Sequence, residues 1–167
     1  MAQPFAVVTK SCFCRKSENG HVGPVDEILT EVDCGDGKKA ILGREGENLY
    51  FCTMQRTKGI FWRRVGAEYF TRAYLEEYEQ IILARYYWNR DFLFGICREP
   101  GAKEISFQLV DEEENFLMEG KLPVREDGIF YGSNIRGIIL DGSAYPYHLR
   151  ALDAEENVIA GEVEGVL

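Results

Sequence analysis

Ile105-Ser106-Phe107-Gln108-Leu109-Val110 is the stretch on which the reading of this chain turns. Ile105, Phe107 and Leu109 alternate with Ser106, Gln108 and Val110, and that period of two predicts a half-buried strand. Pro100-Gly101 stands before it, and the acidic turn Asp111-Glu112-Glu113-Glu114-Asn115 follows. Moving outward, the same unit recurs: a short apolar or aromatic run, then turn formers. Downstream lie Phe116 to Val124, the Asp127-Gly128 turn into Ile129-Phe130-Tyr131, and Ile138 to Leu140 after a Ser133-Asn134 break. Tyr145 to Leu152 and Val158 to Val163 make a hairpin across Asp153-Ala154-Glu155-Glu156-Asn157. Upstream, Asn89-Arg90-Asp91 turns into Phe92 to Cys97. Earlier still, Glu27 to Val32, Lys39 to Arg44, Leu49 to Gln55 and Ile60 to Val65 read as a meander. Its first turn, Cys34-Gly35-Asp36-Gly37, contains the Asp-Gly pair that favours tight hairpins. Strands at spacings of about 8–12 residues, each followed by a turn, predict antiparallel sheets.

One segment follows a different period. Phe70, Tyr74, Tyr78 and Ile82 recur every four residues, Leu75 and Ile81 widen the stripe, and Glu76, Glu77 and Glu79 fall mainly opposite. This predicts a helix over 67–81. The expected fold is therefore α+β: mostly antiparallel β hairpins, in two packed sheets or a partly open barrel, with one main helix near 67–81. The expected organisation is one domain over 1–167, divisible into a β segment at 1–66, a helical connector at 67–88 and a β module at 89–167. Phe5 to Cys14 reads equally as short helix or strand, and Ser17 to Pro24 as a loop. Glu47-Asn48-Leu49-Tyr50-Phe51 matches most of a protease site used in expression tags, but Cys52 replaces the Gln such a site needs. It is read as native strand.

Composition narrows the classes. In 167 residues, 46% apolar and 28% charged content excludes collagen-like, disordered and disulfide-framework chains. A net charge of −9 disfavours phosphate backbones, so nucleic acid is not an expected partner. That charge is unevenly placed: residues 1–85 hold 12 Lys plus Arg and 12 Asp plus Glu, whereas residues 86–167 hold 7 and 16. A neutral half bearing Lys38-Lys39 and Arg63-Arg64 beside an acidic half predicts salt-sensitive, head-to-tail self-contact. No window reaches the roughly 18 apolar residues of a membrane span, and no signal peptide stands at the start. The chain is expected to be cytoplasmic if complete, and extracytoplasmic if a leader or anchor has been removed.

The residues needed for familiar chemistries do not assemble into patterns. Cys12-x-Cys14 with His21 and Cys34 supplies half of a zinc-site spacing, so these thiols are read as small apolar residues, with no metal ligands. His21 and His148 lack a nucleophile elbow. Gly20, Gly23, Gly35 and Gly37 form neither dinucleotide nor P-loop patterns, and no calcium-loop spacing occurs. No catalytic residue and no cofactor are expected. Carboxylate pairs stay open, because their separation is a three-dimensional quantity. Nine Tyr, ten Phe and two Trp exceed what the core needs, so some should contact a partner. Phe61, Trp62 and Arg64, where aromatics meet cations, and Tyr145, Tyr147 and His148 are the candidate partner-binding residues. The expected function is a non-enzymatic protein-interaction or self-assembly domain, its partner another protein or a second copy. The alternative is a pocket protein for a small ligand, or an enzyme of unrecognised type.

Phe94-Gly95-Ile96, the alternating strand to Val110, Leu122-Pro123-Val124, Gly128-Ile129-Phe130-Tyr131 and Ala151-Leu152-Asp153 with Val158-Ile159 follow one another in a familiar order. Residues 92–160, with 27–65 as a preceding sheet segment, resemble uncharacterised small β-rich modules of secreted proteins and lipoproteins from Gram-positive bacteria. The resemblance implies a closing hairpin opened by Asp153 and no catalytic residues. The chain departs from that pattern in its cysteines and its missing export signal. Within the chain, Glu47 to Phe51 with Gly59 to Trp62 echoes Glu114 to Met118 with Gly128 to Tyr131, a likeness that hairpins produce without duplication, with true duplication the minority reading.

Overall fold

The computed structural model describes residues 26–57, 61–70, 80–87, 92–133 and 145–163. The readings of Phe5 to Cys14, Ser17 to Pro24 and Ile138 to Leu140, with Cys12, Cys14 and His21, lie outside these residues. Among the described residues there are eleven strands in three antiparallel sheets, and no helix. The chain divides into two compact units, Met1–Thr71 and Arg72–Leu167.

The first unit holds β1 (Glu27–Asp33), β2 (Lys38–Glu45), β3 (Asn48–Thr57) and β4 (Phe61–Phe70), paired in chain order. Its first turn takes three successive left-handed residues, Gly35, Asp36 and Gly37, at φ 71°, 49° and 66°. Glycine occupies two of them at little steric cost. The Asp33 carboxylate accepts the Gly35 amide at 2.9 Å and fixes the entry. From there the register is unbroken between β2 and β3, from Lys38 opposite Gln55 to Glu45 opposite Asn48. In the two central strands, β2 and β3, both faces carry buried side chains. Ala40, Leu42, Leu49 and Phe51 alternate with Ile41, Tyr50, Cys52 and Met54, and the last four form one cluster. Leu49, Tyr50, Phe51 and Cys52 are thus deep in a central strand.

The expected helix over 67–81 is corrected here. Ala67, Glu68, Tyr69 and Phe70 belong to β4 and stand opposite Cys52, Phe51, Tyr50 and Leu49. Ile82–Tyr87 is a strand as well, so neither described end of the expected helical connector is helical. Residues 71–79 are outside the described set. The physical reason lies in the spacing. Residues four apart share a face of a helix, but they also share a face of a strand, because four is a multiple of two. What decides Ala67 to Phe70 is the free edge of β3, which offers ladder hydrogen bonds to that segment. The fold of the described residues is all-β.

The second unit holds β5 (Ile82–Tyr87), β6 (Phe92–Cys97), β7 (Glu104–Val110), β8 (Phe116–Pro123), β9 (Ile129–Ser133), β10 (Tyr145–Leu152) and β11 (Val158–Val163). One sheet runs β5-β6-β9, the other β11-β10-β7-β8. A bridge between Val124 and Phe130 links the end of β8 to β9, and β10 also passes close to β5. Their inner faces share one core: Ile82, Leu93, Ile105, Phe107, Leu109, Leu122, Phe130 and Leu149 are its larger members. The alternating strand is more deeply set than half-buried: Ser106, on its polar face, is also buried.

Two glycines make room for two rings. Phe107 faces Gly120 across β7 and β8, and a methyl group at Gly120 would come within 2.5 Å of the Phe107 ring. Phe130 faces Gly95 across β9 and β6, and a methyl group there would meet the ring at 2.4 Å and the Leu83 carbonyl at 2.2 Å. At the Asp127-Gly128 turn, Gly128 sits at φ 80° and passes its carbonyl to the Cys97 amide at 2.7 Å. Gly95→Ala and Gly128→Ala are each expected to destabilise the second unit by about 1–3 kcal/mol, through overpacking and a strained positive φ respectively. Gly35→Ala, where nothing lies within 4 Å, is expected to cost about 1 kcal/mol or less, through backbone conformation alone. Urea midpoints measure all three, with the slope of the transition unchanged; a Gly95→Ala midpoint equal to the parent's would contradict this account of the core.

Candidate functional site

The register of the four strands in the first unit sets the position of each side chain at its aromatic site. Arg56 faces Trp62 across β3 and β4, and one row away Lys39, Met54 and Arg64 line up on β2, β3 and β4. Trp62 is half-buried and packs on the Ile41, Tyr50, Cys52 and Met54 cluster. The Lys39 ammonium reaches across β3 and stands 5.3 Å from the centroid of the Trp62 ring. It is also ion-paired with Glu31 on β1. A partly exposed cation–π contact and ion pair of this kind contribute about 0.5–1 kcal/mol each, so they orient the ring more than they stabilise the fold. Beside Trp62 opens a groove of about 610 Å³, lined by Asp33, Gly35, Asp36, Gly37, Lys39, Arg56 and Trp62. The Arg56 side chain is exposed and has no ion-pair partner among the described residues.

The six expected contact residues fall into two groups. Phe61 stands opposite Thr57, Trp62 opposite Arg56 and Arg64 opposite Met54 in the first unit. Tyr145 and Tyr147 stand opposite Val110 and Gln108 on β10 of the second. His148 takes φ 48° at a bulge, where the β10–β7 register shifts between Tyr147 and Arg150. Its ring meets Tyr147 edge-on at 4.6 Å. Lys39, Glu31 and Arg56 were missed by reading neighbours along the chain. The signal that finds them is the register itself: once the turn lengths are counted, Lys39 and Arg56 fall beside Trp62.

The second unit carries two matching turns. At Asp111-Glu112-Glu113-Glu114-Asn115 the Asp111 carboxylate accepts the amides of Glu113 at 3.0 Å and Asn115 at 2.8 Å, and the Asn115 side-chain amide at 3.0 Å. At Asp153-Ala154-Glu155-Glu156-Asn157 the same bonds recur from Glu155 at 2.9 Å and Asn157 at 2.8 Å and 3.0 Å. Glu114 and Glu156 take the equivalent left-handed position, at φ 62° and 64°. The turns differ in charge. Glu156 is ion-paired with Lys121 at 2.9 Å, whereas Glu112, Glu113 and Glu114 have no ion pair among the described residues. Phe116, next in the chain, is 60% exposed.

The remaining chemistry is sparse. A second pocket of about 230 Å³, near the Arg125–Asp127 ion pair, is lined mainly by charged residues of both signs. Among the described residues, no group of three His, Cys, Asp or Glu side chains could hold a metal ion. No described helix is long and apolar enough to cross a membrane. Comparisons with protein-family models, curated proteins and solved structures return no match.

The turn geometry has an acid-range consequence. The Asn115 side-chain amide, then the Asn115 and Glu113 backbone amides, hold the Asp111 carboxyl below its ordinary value of 3.8, and Asn157 does the same for Asp153. A depressed carboxyl contributes stability above its unfolded value and loses it as pH falls through the folded one, so the loss lies below pH 3.8. Carboxyl chemical shifts followed by NMR are expected to titrate below that value at Asp111 and Asp153. Asn115→Ala should return Asp111 upward and leave Asp153 where it was.

Proposed function

We propose that this chain is a non-enzymatic β-rich domain that docks a protein partner, or a second copy of itself, on the groove beside Trp62. The observation that carries the reading is Trp62 itself. It is a half-buried ring oriented by Lys39 at the wall of an open groove, beside Arg56, which has no ion pair among the described residues. Tryptophan and arginine placed together concentrate binding energy in protein interfaces. A pocket for a small ligand is usually concave and lined mainly by apolar side chains. Here Trp62 is the one large apolar side chain among the groove's described lining residues, beside Asp33, Asp36, Lys39 and Arg56. That lining favours a macromolecular surface over a small metabolite. The proposal also keeps the likeness of residues 92–160 to exported Gram-positive modules, which carry no catalytic residues to transfer.

A photo-crosslinking side chain at Val65, which is half exposed on β4, tests this in cells of the source organism. A protein adduct of discrete mass is expected. It should fall by about tenfold or more in Trp62→Ala, the loss typical of a hot-spot residue. Arg56→Ala, exposed and outside the core, should weaken it while leaving the urea midpoint unchanged. Native mass spectrometry that finds instead a small molecule, released by Trp62→Ala, with no protein adduct, favours the pocket reading.

A further inference from the structure

The two charged features lie on different units, and each suits the other. The groove offers Arg56, a guanidinium without an ion pair among the described residues, beside the Trp62 ring, with Arg64 on the same face of β4 by alternation. The Asp111–Asn115 turn offers three exposed carboxylates without ion pairs among the described residues, followed by the exposed ring of Phe116. Its backbone is already tied by Asp111, so presenting those carboxylates needs little further ordering on binding. The sister turn is a weaker candidate, because Lys121 already neutralises Glu156. Asp33 and Asp36 line the groove against an anionic visitor, although the Asp33 carboxylate is engaged by the Gly35 amide. Lys39 is engaged by Glu31. Among the described lining residues, Arg56 is therefore the cation left to meet an incoming carboxylate.

We infer that the groove beside Trp62 receives the Asp111–Phe116 turn of a second copy of this chain, with Glu112 and Glu113 against Arg56 and Phe116 against Trp62. This rests on the reading of the groove as a protein-docking site and names its occupant. The contact is heterologous: each copy uses its groove for one neighbour and its turn for another, so association continues into rings or open chains rather than stopping at a symmetric dimer. An ion-paired contact at an exposed rim weakens with salt.

The test is light scattering of the full chain over a concentration series. At about 0.05 M salt the mean mass is expected to rise with concentration; at about 0.5 M salt the association constant should fall by about tenfold or more. Arg56→Glu disables the groove. Glu112→Gln with Glu113→Gln and Glu114→Gln disables the turn and leaves the Asp111 and Asn115 bonds in place. Both sets of side chains are exposed, so unchanged urea midpoints should confirm folding. Each variant alone is expected to stay monomeric. An equimolar mixture should give one-to-one dimers, since one working turn then meets one working groove. A monomer at every concentration and salt, association that survives either variant, or a mixture that stays monomeric overturns the inference. If the chain stays monomeric while the Val65 crosslink still captures a different protein, the inference fails and the docking reading stands. If no protein is captured and Trp62→Ala releases a small molecule, the docking reading fails with it.

Discussion

The core of the second unit depends on two rings that need the absence of two side chains. Phe107 lies over Gly120 and Phe130 over Gly95, each pair facing across neighbouring strands. A ring laid across a cross-strand glycine fills space that a pleated sheet would otherwise leave empty, and it shields backbone from water. Because the two pairs sit one in each sheet, the sheets approach closely enough to share Ile105, Leu93 and Leu149. A methyl group at Gly95 would also come within 2.2 Å of the Leu83 carbonyl, so β5 leaves no room for a side chain there. Any residue larger than glycine at these two positions must push the sheets apart or turn a ring out of the core.

Much of this was legible in the residues, and the part that was not has a physical reason. Alternation found β7, and the Asp-Gly pairs found the turns at Asp36-Gly37 and Asp127-Gly128, because side-chain direction and left-handed backbone are local properties. The period of four at Phe70 to Ile82 did not discriminate helix from strand, and only the unpaired edge of β3 decides Ala67 to Phe70. Strand order was hidden for a related reason. β6 pairs with β9, which lies beyond the whole β7–β8 hairpin, and no local pattern records which distant edge a strand will meet. The echo between the two halves dissolves on the same ground: β3 and β4 are a hairpin, whereas β9 joins β6 and touches β8 by one bridge.

The site divides similarly. Trp62 and Arg64 stand out in the sequence because an indole beside cations is chemically conspicuous. Lys39 and Arg56 come from other strands, and the ladder register brings them there. Tyr145, Tyr147 and His148 are as conspicuous in the sequence, and they lie on β10 of the other unit, where the register shifts between Tyr147 and Arg150. A residue type can announce itself. Its neighbours across a sheet cannot be known until the pairing is.

The paired Asp-to-Asn turns have a consequence beyond docking. They open β8 and β11, the two outer strands of their sheet among the described residues, where Phe116 and Val158 are exposed. Outer strands with bare apolar residues invite runaway edge-to-edge stacking into fibrils. Here each one begins beside a carboxylate clamped in its charged form by an asparagine. Such carboxylates act as gatekeepers, and their clamped charge persists further into acid than that of an ordinary aspartate. The colloidal protection of both edges is thereby built into the same four hydrogen-bonding side chains that shape the hairpins.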